Sequence, residues 1–130
     1  MTDSRVIVCI PCLLLGGSEL VTLAFVKALA QSGHDVTICC YYEHDVTMVR
    51  RFEATGARVV LLELPRGHLF CLFHTLVEFF QRQRPNVVHV QYFAPGMVPI
   101  LAARRAGVKY VFATVHAAGQ KGYGWKAKAM

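Results

Sequence analysis

One grammatical unit recurs along the chain and limits what it can fold into. A helix-like segment ends at a glycine, and a β-branched run begins a residue or two later. Ser32-Gly33-His34-Asp35-Val36-Thr37-Ile38 is followed by Thr55-Gly56-Ala57-Arg58-Val59-Val60-Leu61 and then by Ala106-Gly107-Val108-Lys109-Tyr110-Val111-Phe112. Glycine takes the left-handed conformation that closes a helix, so each unit reads as a helix end feeding a strand. Arg84-Pro85-Asn86-Val87-Val88-His89-Val90 makes a fourth junction, with proline as the stop. Strands are therefore expected near Arg5–Ile10, Asp35–Tyr41, Arg58–Leu62, Asn86–Val90 and Lys109–Thr114. Helices are expected near Ser18–Ser32, Asp45–Thr55, His68–Arg84 and Gly96–Ala106.

Strand starts spaced by roughly 23–30 residues leave room for a crossover helix each time, and so specify parallel pairing. The fold class is α/β: a Rossmann-like parallel sheet wound with helices on both faces. Right-handed crossovers give the strand order 3-2-1-4-5. An apolar share of 55% with only 17% charged residues suits strands buried on both faces. The 130 residues suffice for a single domain, and no linker or low-complexity tract divides them.

Such a sheet binds ligands beyond the carboxyl ends of its strands, near the switch between the first and fourth strands. Four loops fall there: Pro11–Glu19, Tyr41–Asp45, Gln91–Gly96 and Val115–Gly124. In the first, Gly16 and Gly17 allow a close approach of backbone to ligand, and Ser18 is a suitable N-cap for the helix that follows. Free N–H groups at a helix start suit a phosphate, although neither G-x-G-x-x-G nor G-K-[ST] is present. His116 lies just past the last strand, where an imidazole faces the cleft and exchanges a proton near neutral pH. Gln91, Tyr92 and Phe93 follow the fourth strand and are placed to line a pocket, whereas His89 reads as a buried, hydrogen-bonded core histidine.

Other chemistries are less well served. Cys9 and Cys12 form one C-x-x-C, but Cys9 falls inside a strand, and Cys39 and Cys40 point to opposite faces of another. Five cysteines without framework spacing read as reduced, buried residues, and no metal site or metal cofactor is expected. The formal charge of +6 favours anionic partners, yet the arginines are scattered over helix ends, so no nucleic-acid partner is expected. No stretch approaches the ~20 apolar residues of a membrane span. The aromatic segment His68–Arg84 reads as a helix packed on the sheet, with peripheral membrane contact as the alternative.

These pieces, in this order, resemble glycosyltransferase family 4. Gly16-Gly17-Ser18-Glu19 after the first strand looks like that family's G-G-x-E, and Leu29–Thr37 resembles its passage into the second strand. Arg84-Pro85-Asn86-Val87-Val88-His89-Val90-Gln91 is similar to R-P-D-V-V-H-x-H, departing at Asn86 and Gln91, and Ala106-Gly107-Val108 with Thr114-Val115-His116 resembles A-G-V-P…T-x-H. The resemblance implies the N-terminal, acceptor-side half of a two-domain GT-B enzyme, with residues 1–130 as that domain and the C-terminal donor-binding domain, with its E-x7-E motif, absent. It implies metal-independent, retaining transfer of a sugar from a nucleotide-sugar donor to the hydroxyl of a sugar or lipid-linked acceptor. Gly16 and Gly17 would lie near the donor diphosphate, His116 beside the transferred sugar, and Glu19, Gln91 and Tyr92 on the acceptor side. The isolated chain is expected to be inactive, and a cytoplasmic place, peripheral at the inner membrane surface, is expected for the enzyme. The alternative is a stand-alone module that binds a sugar, nucleotide or anion without catalysis.

Overall fold

The computed structural model describes residues 4–91, 97–116 and 125–129. Strand and helix alternate in chain order: β1 (Arg5–Ile10), α1 (Gly17–Gln31), β2 (Asp35–Cys40), α2 (Val46–Glu53), β3 (Arg58–Leu61), α3 (Leu69–Gln83), β4 (Val87–Gln91), α4 (Val98–Arg105), β5 (Tyr110–His116) and β6 (Trp125–Ala129). The sheet order is β3-β2-β1-β4-β5-β6, and the first five strands pair in parallel in the order the crossover rule gives. The junction glycines explain why the chain turns where it does: Gly33, Gly56 and Gly107 have φ of 91°, 98° and 85°. Arg84 supplies the left-handed residue after α3 without a glycine, at φ 50°, and Pro85 prevents the helix from continuing.

Helices cover both faces of the sheet. On one, Val26 of α1 and Met48 and Phe52 of α2 pack on Val6, Val8, Ile10 and Ile38. On the other, Leu72, Leu76, Phe79 and Phe80 of α3 and Ile100 of α4 pack on Ile7, Cys9, Val88, Val90 and Val111. The apolar face of α3 is thus committed to the sheet, as the packing reading expected. Cys39 and Cys40 enter opposite cores, and all five cysteines are free thiols.

Two boundaries and one strand differ from expectation. The expected strands end with the one near Lys109–Thr114, but Trp125–Ala129 adds a sixth that pairs antiparallel with β5. The open edge of β5 offers unpaired N–H and C=O groups that a returning segment satisfies. This pairing carries β5 through His116, which stands opposite Trp125, so His116 is the last residue of a strand rather than part of a loop. Gln91 likewise closes β4 instead of following it.

Candidate functional site

The switch lies between β1, which continues to β2, and β4 on its other side. The β1 loop is held by its neighbour. Leu13 N–H donates to Glu43 O at 2.9 Å and Asp45 N–H to Leu13 O at 2.8 Å, so the loops after β1 and β2 stay zipped. Beyond them the Arg66 guanidinium grips Glu43 through two hydrogen bonds of 2.7 and 2.6 Å and lies 4.5 Å over the Tyr42 ring. That bond holds the Glu43 carboxyl below its ordinary range.

Glu19 organises the first loop. It is the third residue of α1, is only 6% exposed, and turns back so that Oε2 accepts from Leu14 N–H at 3.1 Å and the Cys12 thiol at 3.6 Å. A carboxylate is favoured there by the positive end of the helix. Burial first, then the Glu19 charge, pushes the Cys12 thiol above its ordinary pKa. Ser18 is not the N-cap; α1 starts at Gly17, with Gly16 as the cap and no side-chain capping bond, because Glu19 ties down the loop from inside the first turn.

The two glycines are not equivalent. A Cβ on Gly16 would stand 2.8 Å from Glu19 Oε1, while a Cβ on Gly17 would meet nothing within 4 Å. Gly16 has extended backbone, φ −159°, so its missing side chain makes room for the carboxylate rather than for an unusual turn. Gly17 faces open space and leaves its backbone approachable.

A second polar group sits across from this loop. Gln91, 2% exposed, places Nε2 2.7 Å from His89 Nδ1 and Oε1 3.3 Å from Thr22 Oγ1. His89 Nε2 lies 3.1 Å from Thr114 Oγ1, and the Thr22 hydroxyl is also 2.8 Å from Ser18 O. Burial alone pushes the His89 pKa down to about 4, which keeps the ring neutral. His89 is the satisfied interior histidine that the sequence suggested. Gln91 is interior as well, and reaches the cleft through its neighbours rather than as a pocket wall.

Of the expected site residues, Gly16, Gly17, Glu19 and Gln91 therefore gather where the start of α1 meets the end of β4, and the end of β5 carries His116 to the same edge. Tyr92 and the 117–124 loop lie outside the described residues, as does the His116 side chain. Tyr41, at the end of β2, is buried in the core. Sequence reasoning missed Cys12, Thr22 and Thr114. The signal for the last two was the spacing of His89 and Gln91, which puts both on one face of β4 with polar partners required. Across the sheet, Leu69, Phe70, Phe73 and Val98 line an apolar cleft of about 320 Å³ between the starts of α3 and α4. Among the described residues no helix is long and apolar enough to cross a membrane.

A doubly wound sheet with five parallel strands and a polar corner at its switch point defines a Rossmann-like domain. The chain belongs to the glycosyl transferase 4-like domain family, whose model matches residues 16–130. None of the curated proteins matches it by sequence. A glycosyltransferase from Rickettsia africae ESF-5 is similar in structure, with a TM-score of 0.63 and 19% identity over 81% of this chain and 28% of that one. MurG from Acinetobacter baumannii has a TM-score of 0.62 and 18% identity over 84% of this chain and 34% of MurG. A deacetylase triple mutant of the teicoplanin biosynthetic pathway has a TM-score of 0.65 at 10% identity, covering 86% of this chain and 64% of its own. These likenesses establish the shared fold. The chain spans about a third of the glycosyltransferase structures that it matches.

Proposed function

We propose that this chain is the acceptor-side domain of a GT-B glycosyltransferase that moves a sugar from a nucleotide-sugar donor to an acceptor hydroxyl. In that reaction the bond from the anomeric carbon to the donor phosphate breaks and a bond to the acceptor oxygen forms. The nucleoside diphosphate keeps the bonding electrons, and the acceptor gives up its proton. The observation that carries the reading is the polar corner at the switch point, in a chain of the glycosyl transferase 4-like family. Glu19 puts a carboxylate in the first loop, and Oε1 makes no hydrogen bond among the described residues, so it suits a sugar hydroxyl. The open backbone at Gly17 suits the donor diphosphate better than the sealed one at Gly16. His116 takes the place beside the transferred sugar, with Gln91 and Tyr92 on the acceptor side and no metal required.

The rim of the site supports a second domain facing it. Leu14, Leu15, Leu20, Leu69, Phe70 and Met97 are all exposed, with Leu15 at 71% and Phe70 at 84%, and all sit at or just before the first turns of α1, α3 and α4. Those turns follow β1, β3 and β4, so these apolar residues lie along the carboxyl edge. A GT-B donor domain closing over this edge would cover it. A lipid-linked acceptor, on an enzyme peripheral at the cytoplasmic membrane face, would use the same apolar cleft at Phe70 and Val98.

The test is transfer from a panel of nucleotide sugars, measured with the gene's full reading frame expressed, with and without EDTA. EDTA-insensitive transfer that falls at least a hundredfold in His116→Ala supports the assignment. Transfer unchanged in that variant removes His116 from the chemistry. Specific sugar or nucleotide binding with no transfer at all would favour the non-catalytic binding module.

A further inference from the structure

Four of the five buried polar or charged side chains among the described residues, Glu19, Thr22, Gln91 and Thr114, gather at one corner of the sheet, and Thr37 stands apart. The partly buried His89 joins them, whereas the same sheet face is apolar at Val6, Val8, Ile10 and Ile38. Apolar groups of the same shape would be nearly neutral or stabilising there, so packing gives no reason for a polar chain.

The chain has a direction. Gln91 places Nε2 2.7 Å from His89 Nδ1; with the amide turned this way its N–H donates and Nδ1 is the bare nitrogen, whereas the opposite amide orientation would reverse the chain. A neutral ring with bare Nδ1 carries its hydrogen on Nε2, which donates to Thr114 Oγ1 at 3.1 Å. Phe25, with ring centroids 4.8 Å away, and Phe112, at 6.4 Å, pack against the imidazole and hinder its turning. In that orientation the Thr114 hydroxyl accepts from His89 and still has its own hydrogen to give. No acceptor for that hydrogen occurs among the described residues. Thr114 stands opposite Gln91 in the β4–β5 register, two positions before His116.

We propose that Thr114 donates its hydroxyl hydrogen to a ligand oxygen at the carboxyl edge, and that His89 is the positioning residue that fixes this direction. The acceptor is an oxygen lone pair of a sugar hydroxyl or a phosphate; that much rests on the glycosyltransferase reading above.

Two measurements test it. Nitrogen-15 NMR of the whole chain at pH 7 reads the His89 tautomer. A hydrogen on Nε2 is expected; a hydrogen on Nδ1 overturns the proposal, since Thr114 would then donate into the ring. Titration with UDP-glucose and with UDP, on the protein expressed from the gene's full reading frame, compares the natural sequence with Thr114→Val and Thr114→Ser. Valine is expected to bind about tenfold more weakly, the size of one lost hydrogen bond, with serine within about twofold of threonine. Loss with both probes marks a phosphate oxygen, and loss with UDP-glucose alone marks a sugar hydroxyl. Equal binding by the valine variant overturns the proposal; should valine impair folding, Thr114→Ala takes its place. If the natural chain binds neither probe, the assignment to this donor class fails, and the tautomer still decides the direction of the chain.

Discussion

Gly16 and Gly17 adjoin, yet replacing each by alanine should have opposite effects. At Gly16 the new methyl would come to 2.8 Å from Glu19 Oε1, about 0.6 Å inside the 3.4 Å at which ordinary contact begins. Glu19 cannot swing away freely, because Oε2 holds Leu14 N–H and the Cys12 thiol in a buried setting. Yielding means stretching or losing a hydrogen bond to a charged acceptor, and alanine is also a poor N-cap. Together these cost about 2 kcal/mol. At Gly17 the methyl enters open space at the first helical position, where alanine gains up to about 1 kcal/mol in helix propensity. Urea denaturation followed by circular dichroism measures both. The decisive variant is Gly16→Ala on a Glu19→Ala background, where the clash is gone and the cost of the methyl should fall to about 0.5 kcal/mol. A coupling of about 1.5 kcal/mol in that double-mutant cycle is expected. Equal effects of the two alanines, or a coupling near zero, would falsify the account of why Gly16 is a glycine.

Two further expectations concern titration and reactivity. His89 has its pKa lowered by burial from 6.5 to about 4, so the unfolded chain binds more protons than the folded one between those values. Its contribution to stability is complete above pH 6.5 and is lost as pH falls through that window, by about 2 kcal/mol at pH 5. The difference in urea midpoint between pH 7.5 and 5 should shrink in His89→Phe. Among the thiols only Cys71 is exposed, while Cys9, Cys39 and Cys40 are buried, Cys40 with its pKa pushed up to about 12, and Cys12 is tied to Glu19. A disulfide reagent should therefore label one thiol quickly in the native chain and five after unfolding, with Cys71→Ser abolishing the fast phase. Rapid labelling of a second thiol would mean that the first loop opens.

The fold was legible because its punctuation is chemical. Each junction glycine takes a backbone conformation that other residues adopt at a cost, so Gly33, Gly56 and Gly107 marked where the next strands begin. Strand order then followed from chirality alone. The site was legible only in part. Glu19 was visible as an acid in a helix start, but spacing does not say whether such a carboxylate turns outward to a ligand or back to the loop before it. The Gln91–His89–Thr114 chain depends on the pairing of β4 with β5, a contact between residues 25 apart for His89 and Thr114. The segment Trp125-Lys126-Ala127-Lys128-Ala129 does alternate in the strand period, and the alternation, rather than its weak apolar content, was the signal to follow.

The distribution of charge bears on the proposal that this domain holds the acceptor. The formal +6 invites an anionic ligand, but the arginines do not stand at the site. Arg50 and Arg51 end α2, Arg82 lies in the last turn of α3, and Arg104 and Arg105 end α4, where they complement helix dipoles. Arg5 and Arg58 pair with Asp35 at the amino edge of the sheet. At the carboxyl edge beside β1 to β3 the described charges are Glu19, Glu43, Asp45 and Glu63, with Arg66 already committed to Glu43, while Lys126 stands opposite Val115 near the end of β5. Acids on that side repel a diphosphate unless backbone N–H groups, a lysine or another domain supply the positive field. Neutral hydroxyls, in contrast, meet no such repulsion. The arginines therefore serve mainly helix ends and the amino edge, and the acids beside the first three strands favour a neutral, hydroxylated ligand over a phosphorylated one on that side.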